Sequence, residues 1–275
     1  MRRLCVSVPH KLFPPMLNEH HDNLISFVAH NCARVDVHRH HCVQIVAGIN
    51  GSFSGTIAGE AYPRKTGFII NQNVAHSCQA ADASVIVFFI DADSYCGWQL
   101  TTLLAGRPFL DIEAFLTEAQ ARRICAEGNQ HLPGPELGKL ADEILASVLL
   151  ANPSAAEMPV DGRVGKAVEF INAHLGENIR LEDLAGRMSL SPERARHLFA
   201  QTTGAPFSQY ILWKRVKRVI VTVLQEKSSL TEASINAGFT DQAHFCHIFK
   251  RTFGMPAKAL LKNSRYIQFL TPSVE

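Results

Sequence analysis

The chain has 275 residues, 47% of them hydrophobic and 19% charged, and a formal net charge of +2. That length accommodates one or two domains with full cores, and the composition excludes a disordered or collagen-like chain. No run approaches the roughly 20 apolar residues of a membrane helix, and the basic start MRRLCVSVPHKLF lacks the apolar stretch of a secretory leader, so a soluble, cytoplasmic protein with no membrane partner is expected.

From about Leu24 to Ile90 the chain reads as short strands divided by turns. VQIVAGINGSFSGTIAG gives two strand-like runs around Asn50-Gly51, a dipeptide that favours a hairpin. GFIINQNVAHS and SVIVFFID supply further strands, the second apolar enough to be buried on both faces. Short strands with Gly and Asn turns predict a sandwich or small barrel over residues 1–110. Within it, His38, His40 and Gln44 follow the spacing H-x-H-x3-Q, and His76 comes after another strand pair. On a strand, His38 and His40 project from one face and His41 from the other. Three imidazoles converging inside a barrel can hold a divalent metal and leave positions open. The same groups can line an effector pocket without metal, or serve the core alone. Cys42 and Cys78 lie within two residues of these histidines, which leaves thiol chemistry and inert packing both open. Seven scattered cysteines without a CxxC predict reduced thiols rather than a disulfide framework.

Near Asp111 the pattern changes. DIEAFLTEAQARRICAEGNQHL and GPELGKLADEILASVLLA read as two helices split by Pro133-Gly134-Pro135. In the second, Leu137, Leu140, Ala141, Ile144, Leu145, Val148 and Leu149 form a stripe at helical spacing. The stripe suits either a cover for the barrel or a contact between subunits, so residues 111–150 are expected to be a helical pair with a role in dimerisation. Residues 151–163, ANPSAAEMPVDGR, have the composition of a linker. The charge also divides here. Residues 1–163 carry 12 basic and 16 acidic groups, whereas residues 164–275 carry 15 basic and 9 acidic, a surplus of +6 that points the second half towards a polyanion.

Residues 164–262 read as almost all helix, followed by a tail over 263–275. Val164, Val168, Ile171 and Leu175 share one face of the first helix. Two units then repeat one layout of short helix, tight turn, second helix, Gly and Pro: LEDLAGRMSLSPERARHLFAQTTGAP and LTEASINAGFTDQAHFCHIFKRTFGMP. Such a duplication is two helix-turn-helix units joined by the basic helix of PFSQYILWKRVKRVIVTVLQE. Ser191 with Pro192, Ser229 with Glu232, and Asp241 are the expected helix starts; Gly204, Gly238 and Gly254 are the stops. A second helix of this kind buries one face and offers the other to a major groove. Phe245, Ile248, Phe249 and Phe253 make the buried face. Gln242, Ala243, His247 and Lys250 lie opposite, with Gln suited to adenine, Ala to a thymine methyl and Lys to phosphate or guanine. In the first unit Glu193, Arg196 and His197 occupy the corresponding face, with Arg194 at its flank.

Through Gly238, Phe239, Phe245, Phe249, Lys250, Gly254 and Pro256, residues 164–262 resemble the DNA-binding domain of AraC/XylS-family transcription regulators. The stretch AKALLKNSR stands where that family usually has an aromatic-Arg pair. The histidine region is similar to the cupin motif, except that Gln44 stands where a metal-binding cupin has Glu. The resemblance implies an α+β multidomain chain: a cupin-like β-barrel, two following helices, and an all-α domain of two helix-turn-helix units on a linker helix. It further implies double-stranded DNA, a small-molecule or metal effector and a second copy of the chain as partners, with RNA polymerase contacted if the protein is an activator. A divalent metal in the barrel is the only cofactor considered. The competing reading is a cupin metalloenzyme fused to a helical domain.

Overall fold

The computed structural model describes residues 24–29, 33–48, 51–81, 83–115, 143–150, 158, 161–226, 228–258 and 267–270. The N-terminal half contains two antiparallel sheets. The four-stranded sheet has the order β2 (Ala33–His38), β7 (His76–Ala80), β4 (Phe53–Ile57) and β5 (Glu60–Lys65). The six-stranded sheet is built around β3 (Val43–Gly48) and β8 (Val85–Ile90), with β1 (Leu24–Ala29), β6 (Gly67–Ile70), β9 (Phe109–Asp111) and β10 (Ile267–Leu270). The sheets share no strand and remain open, so the expected barrel is a sandwich.

Both central strands are buried along their whole length, as VIVFFI required. One face of the six-stranded sheet, with Phe68, Ile70, Val87 and Phe89, meets Phe53, Ile57, Cys78 and Ala80 of the other sheet. The opposite face carries Val43, Ile45, Ile69, Ile86 and Phe88. It is covered by α1 (Tyr95–Leu104) and the helical run 143–150. The apolar stripe is therefore a sheet cover at Ile144, Leu145 and Val148; Leu137, Leu140 and Ala141 lie outside the described residues.

Four local readings change. Asn50-Gly51 does not close a hairpin, because β3 and β4 belong to different sheets; Asn50 itself lies outside the described residues. The tight hairpin is instead β4–β5, turned at Ala58 (φ 54°) and Gly59 (φ 89°), the left-handed pair a two-residue loop requires. Residues 111–115, expected to open a helix, instead end β9 and form a 3-10 turn, with β9 pairing β6 from Phe68↔Asp111 to Ile70↔Phe109. Tyr95–Leu104, assigned no element from sequence, is a helix whose N-cap Ser94 accepts from the Gly97 amide at 3.0 Å. The tail returns to the sandwich, where β10 pairs β1 from Ser26↔Leu270 to Ala29↔Ile267.

The C-terminal half is helical as expected: α2 (Gly162–Ala173), α3 (Leu181–Met188), α4 (Pro192–Thr203), α5 (Phe207–Gln225), α6 (Leu230–Asn236) and α7 (Gln242–Phe253). The α3–α4 unit packs with α2 around Val164, Ile171, Leu184, Phe199 and Tyr210. The α6–α7 unit behaves differently. Its Phe239, Phe245, Phe249 and Phe253 belong to one continuous apolar cluster with Trp213 and the interior of the sandwich. The two halves are joined by shared core as well as by chain.

Candidate nucleic-acid interface and histidine site

Helix α7 starts where Asp241 Oδ1 accepts from the His244 amide at 2.7 Å. Its apolar face is complete: Phe245, Ile248, Phe249 and Phe253 are all buried. On the other side Gln242, Ala243, His247 and Lys250 are all exposed, while Cys246 is half-buried. Thr231 of α6 donates to Gln242 Oε1 at 2.6 Å. That bond fixes the side chain and leaves its amide nitrogen and one oxygen lone pair for a base edge.

Helix α4 mirrors this arrangement. Glu193, Arg194, Arg196 and His197 are exposed, and Ala195 and Phe199 are buried behind them. Ser191 adopts the extended cap conformation ahead of Pro192 without a side-chain cap bond. Glu193 faces two neighbours, Arg196 at 3.2 Å and His197 at 2.9 Å. Exposed pairs of this kind hold by about 1 kcal/mol or less, so they orient the Arg196 and His197 side chains and can be exchanged for DNA groups.

The basic helix α5 has another role. Lys214 Nζ and Lys217 Nζ lie 2.6 and 3.0 Å from Asp91 Oδ2, and Trp213 Nε1 donates to Asp91 Oδ1 at 2.6 Å. Asp91 follows β8 directly and its side chain is 1% exposed. Burial alone would raise its carboxyl, but Lys217 and Lys214, with the bonds from Lys214 and Trp213, hold it below the usual carboxylate range. Beside it, Tyr210 donates to Asp93 at 2.7 Å. Arg215 donates to the Leu175 and Glu177 carbonyls at 2.8 and 2.6 Å. Three of the four basic residues of α5 thus have internal partners. The +6 surplus overstates the charge available to a polyanion.

The four residues singled out in the sandwich do come together. His40 Nε2 lies 2.7 Å and His76 Nε2 2.8 Å from Gln44 Oε1, and the His38 and His76 ring centroids are 4.2 Å apart. One nitrogen each from His38, His40 and His76 lies within 4.8 Å of the others, the only such metal-compatible group among the described residues. Burial, then the neighbouring imidazoles, lowers the basicity of this group: His76 falls to about 3 and His40 well below its ordinary value, so the rings are neutral near pH 7. His41 points elsewhere, from the bend between β2 and β3 and not from a strand. Its ring stands edge-on to Trp213 at 5.6 Å, and its buried Nε2 has no protein partner. Burial pushes Cys78 up to about 12 and Cys42 well above its normal range, so both remain core thiols.

Sequence reasoning missed Asp91, Asp93, Tyr210 and Trp213. Its available signal was an acid ending a wholly apolar strand, with nothing nearby in sequence to pair it.

Comparison with known proteins agrees with the C-terminal reading. Residues 184–263 match the family described as Helix-turn-helix domain. The chain is 30% identical over 101 residues to Regulatory protein PocR of Salmonella typhimurium, covering 37% of this chain and 33% of that protein. It is 28% identical over 116 residues to the Arabinose operon regulatory protein of Escherichia coli, covering 42% and 40%. It therefore spans less than half the length of these curated relatives. Among solved structures, ToxT from Vibrio cholerae superposes with a TM-score of 0.53 at 11% identity, covering 86% of this chain and 96% of that one; at that identity the likeness concerns the fold, a β-rich half followed by a helical one. Over the matched residues and the duplicated unit that carries them, the C-terminal half is similar to the helix-turn-helix domain of AraC-type transcription regulators.

Proposed function

We propose that this protein is a sequence-specific DNA-binding regulator of transcription. Glu193, Arg196 and His197 would meet bases in one major-groove segment, and Gln242, Ala243 and His247 in the next, with Arg194 and Lys250 on phosphates. The observation that carries this reading is the two-sidedness of α4 and α7. All eight of these residues are exposed, and the opposite faces hold Phe199, Phe245, Phe249 and Phe253. Helix α5 has 19 residues, about 28 Å at 1.5 Å per residue, a length compatible with major-groove faces that recur every ~34 Å.

The sandwich would bind a small-molecule or metal effector at His38, His40, Gln44 and His76, and act by favouring one DNA-binding state over another. The curated relatives are named as regulators, which favours binding over the turnover of a fused metalloenzyme. A homodimer would join through a surface other than Ile144, Leu145 and Val148, which cover the sheet. If the protein is an activator, RNA polymerase is the further partner.

The test is selection of bound sites by the full chain from a randomised DNA pool. Two short elements about one helical turn apart should be enriched. A pool that stays random after selection, with the protein folded, would sink the proposal.

A further inference from the structure

The two helix-turn-helix units do not share a core. Val164, Ile171, Leu184, Phe199, Tyr210 and Ile211 belong to one apolar cluster, whereas Trp213, Val216, Phe239, Phe245 and Phe249 belong to another. Helix α5 passes from the first cluster to the second between Ile211 and Trp213. Apolar burial is non-directional, so the two clusters do not by themselves fix the angle between α4 and α7.

Where the units meet, the contact is polar. Arg215, one turn beyond Ile211 on α5, is half-buried. Its Nε donates to the Leu175 carbonyl at 2.8 Å and its Nη2 to the Glu177 carbonyl at 2.6 Å. Both carbonyls lie just past His174, the cap of α2, so the planar guanidinium holds the end of the first unit at two points. The second unit lies against the same group. Past α6, the Gly238 amide donates to the Ile235 carbonyl and the Phe239 amide to the Ser234 carbonyl, at 2.9 and 3.0 Å, the two bonds of a Schellman stop. Gly238 has φ 89°, and a Cβ there would lie 2.5 Å from the Leu175 oxygen and 2.8 Å from Cζ and Nε of Arg215. The stop of α6 therefore comes this close only through glycine. Gly176 makes the matching approach from α2, because a Cβ there would stand 2.8 Å from the Asn236 oxygen.

We propose that Arg215 is a spacing-determining residue of the DNA-binding half. By joining α5, the turn after α2 and the stop of α6, it holds α4 and α7 at one mutual angle and so selects one separation of two DNA elements. Each added base pair moves the second element by about 3.4 Å and turns it by about 35° around the axis, which a locked pair of helices does not follow. This deepens the regulator reading and rests on it. The rival holder of the angle is the sandwich, which touches the ends of both recognition helices, Gln72 at Gly204 and Asp36 at Gly254.

The experiment measures, by fluorescence anisotropy, binding of the full chain to duplexes carrying the two elements recovered from the randomised pool. The series has base pairs added or removed between the elements, and a further duplex carries the first element alone. Wild type should lose about tenfold or more in affinity when one base pair is added or removed. Arg215→Met, and Arg215→Lys, which keeps the charge but cannot bridge two carbonyls, should reduce that loss to about threefold or less and leave single-element affinity within about twofold. The salt dependence of Arg215→Met should match the wild type. A slope lower by about one with the spacing profile intact would make Arg215 a phosphate contact and overturn the proposal. An intact profile with an unchanged slope assigns the angle to the sandwich and overturns it as well. If the arginine variants do not fold, Gly176→Ala tests the same joint. Gly176 is exposed, and the added methyl, pressing on Asn236, should displace or broaden the preferred spacing; an unchanged profile overturns the lock. Wild-type protein that binds both elements at every spacing alike keeps the regulator reading and overturns the lock, whereas wild-type protein that selects no DNA sinks the regulator reading and this inference with it.

Discussion

Asp91 receives the Trp213 indole N–H at 2.6 Å across the boundary between the two halves, from a residue 122 positions later in the chain. The same carboxylate lies 2.6 and 3.0 Å from Lys214 and Lys217. The sandwich thereby holds the helix that spaces the two helix-turn-helix units. Removing one member of a buried charge cluster typically costs about 3–5 kcal/mol, because the remaining charges lose their compensation. Asp91→Ala is therefore expected to loosen the halves before either unfolds. Limited proteolysis should cut within 151–160 faster in the variant than in the wild type. Equal cleavage rates would mean that the shared apolar cluster around Phe89, Trp213 and Phe253 suffices alone.

The pH dependence follows from the same group. Asp91 is depressed in the folded protein, so its contribution is present above the ordinary carboxylate value of about 3.9 and is lost as pH falls through the lower folded value. Between pH 5 and 8 this contact should be constant, and acid should dissolve it. Melting temperatures of wild type and Asp91→Asn should differ by a fixed amount above pH 5 and converge as pH falls from about 4 to about 2. A difference that already shrinks between pH 7 and 5 would assign the stabilisation to another group.

Arg196 and Gln242 are the side chains with the clearest base preferences, and neighbours orient both: Glu193 for Arg196 and Thr231 for Gln242. Replacing either by Ala should cost about 1–3 kcal/mol at the selected site and relax discrimination at one base position. Fluorescence anisotropy against cognate and random duplexes measures both effects. Equal losses on the two duplexes would demote the residue to a phosphate contact.

The two helix-turn-helix units were legible because several local signals coincide there. Phe245, Phe249 and Phe253 keep helical spacing, Asp241 can cap, and Gly254 can take the left-handed stop. His38, His40, Gln44 and His76 were legible as candidates from residue type and spacing, whereas their meeting depends on the fold: His38 and His76 lie on the four-stranded sheet, Gln44 on the six-stranded sheet and His40 in the connection between β2 and β3. The remainder depended on distant partners. Nothing near Asp91 in sequence reveals that two lysines over 120 positions away will face it. The Tyr95–Leu104 helix carries aromatic, threonine and glycine residues of modest helix propensity, and its stability comes from burying Cys96, Leu100 and Leu104 against the sheet. Asn50-Gly51 favours a turn, but a turn does not decide which sheet receives the next strand.

The charge of the helical half can be divided by experiment. Counted from sequence, every Lys and Arg there is a potential phosphate contact, yet Lys217 is buried against Asp91 while Lys250 and Arg194 are exposed. Each phosphate neutralised contributes about 0.9 to the slope of log affinity against log salt. Lys250→Ala and Arg194→Ala should each reduce that slope by about one. Lys217→Met, which retains most of the buried apolar stem, should leave it unchanged while lowering the melting temperature. A Lys217→Met slope that falls as far as that of Lys250→Ala would place Lys217 on the phosphate backbone, and the Asp91 contact would then have to open when DNA binds.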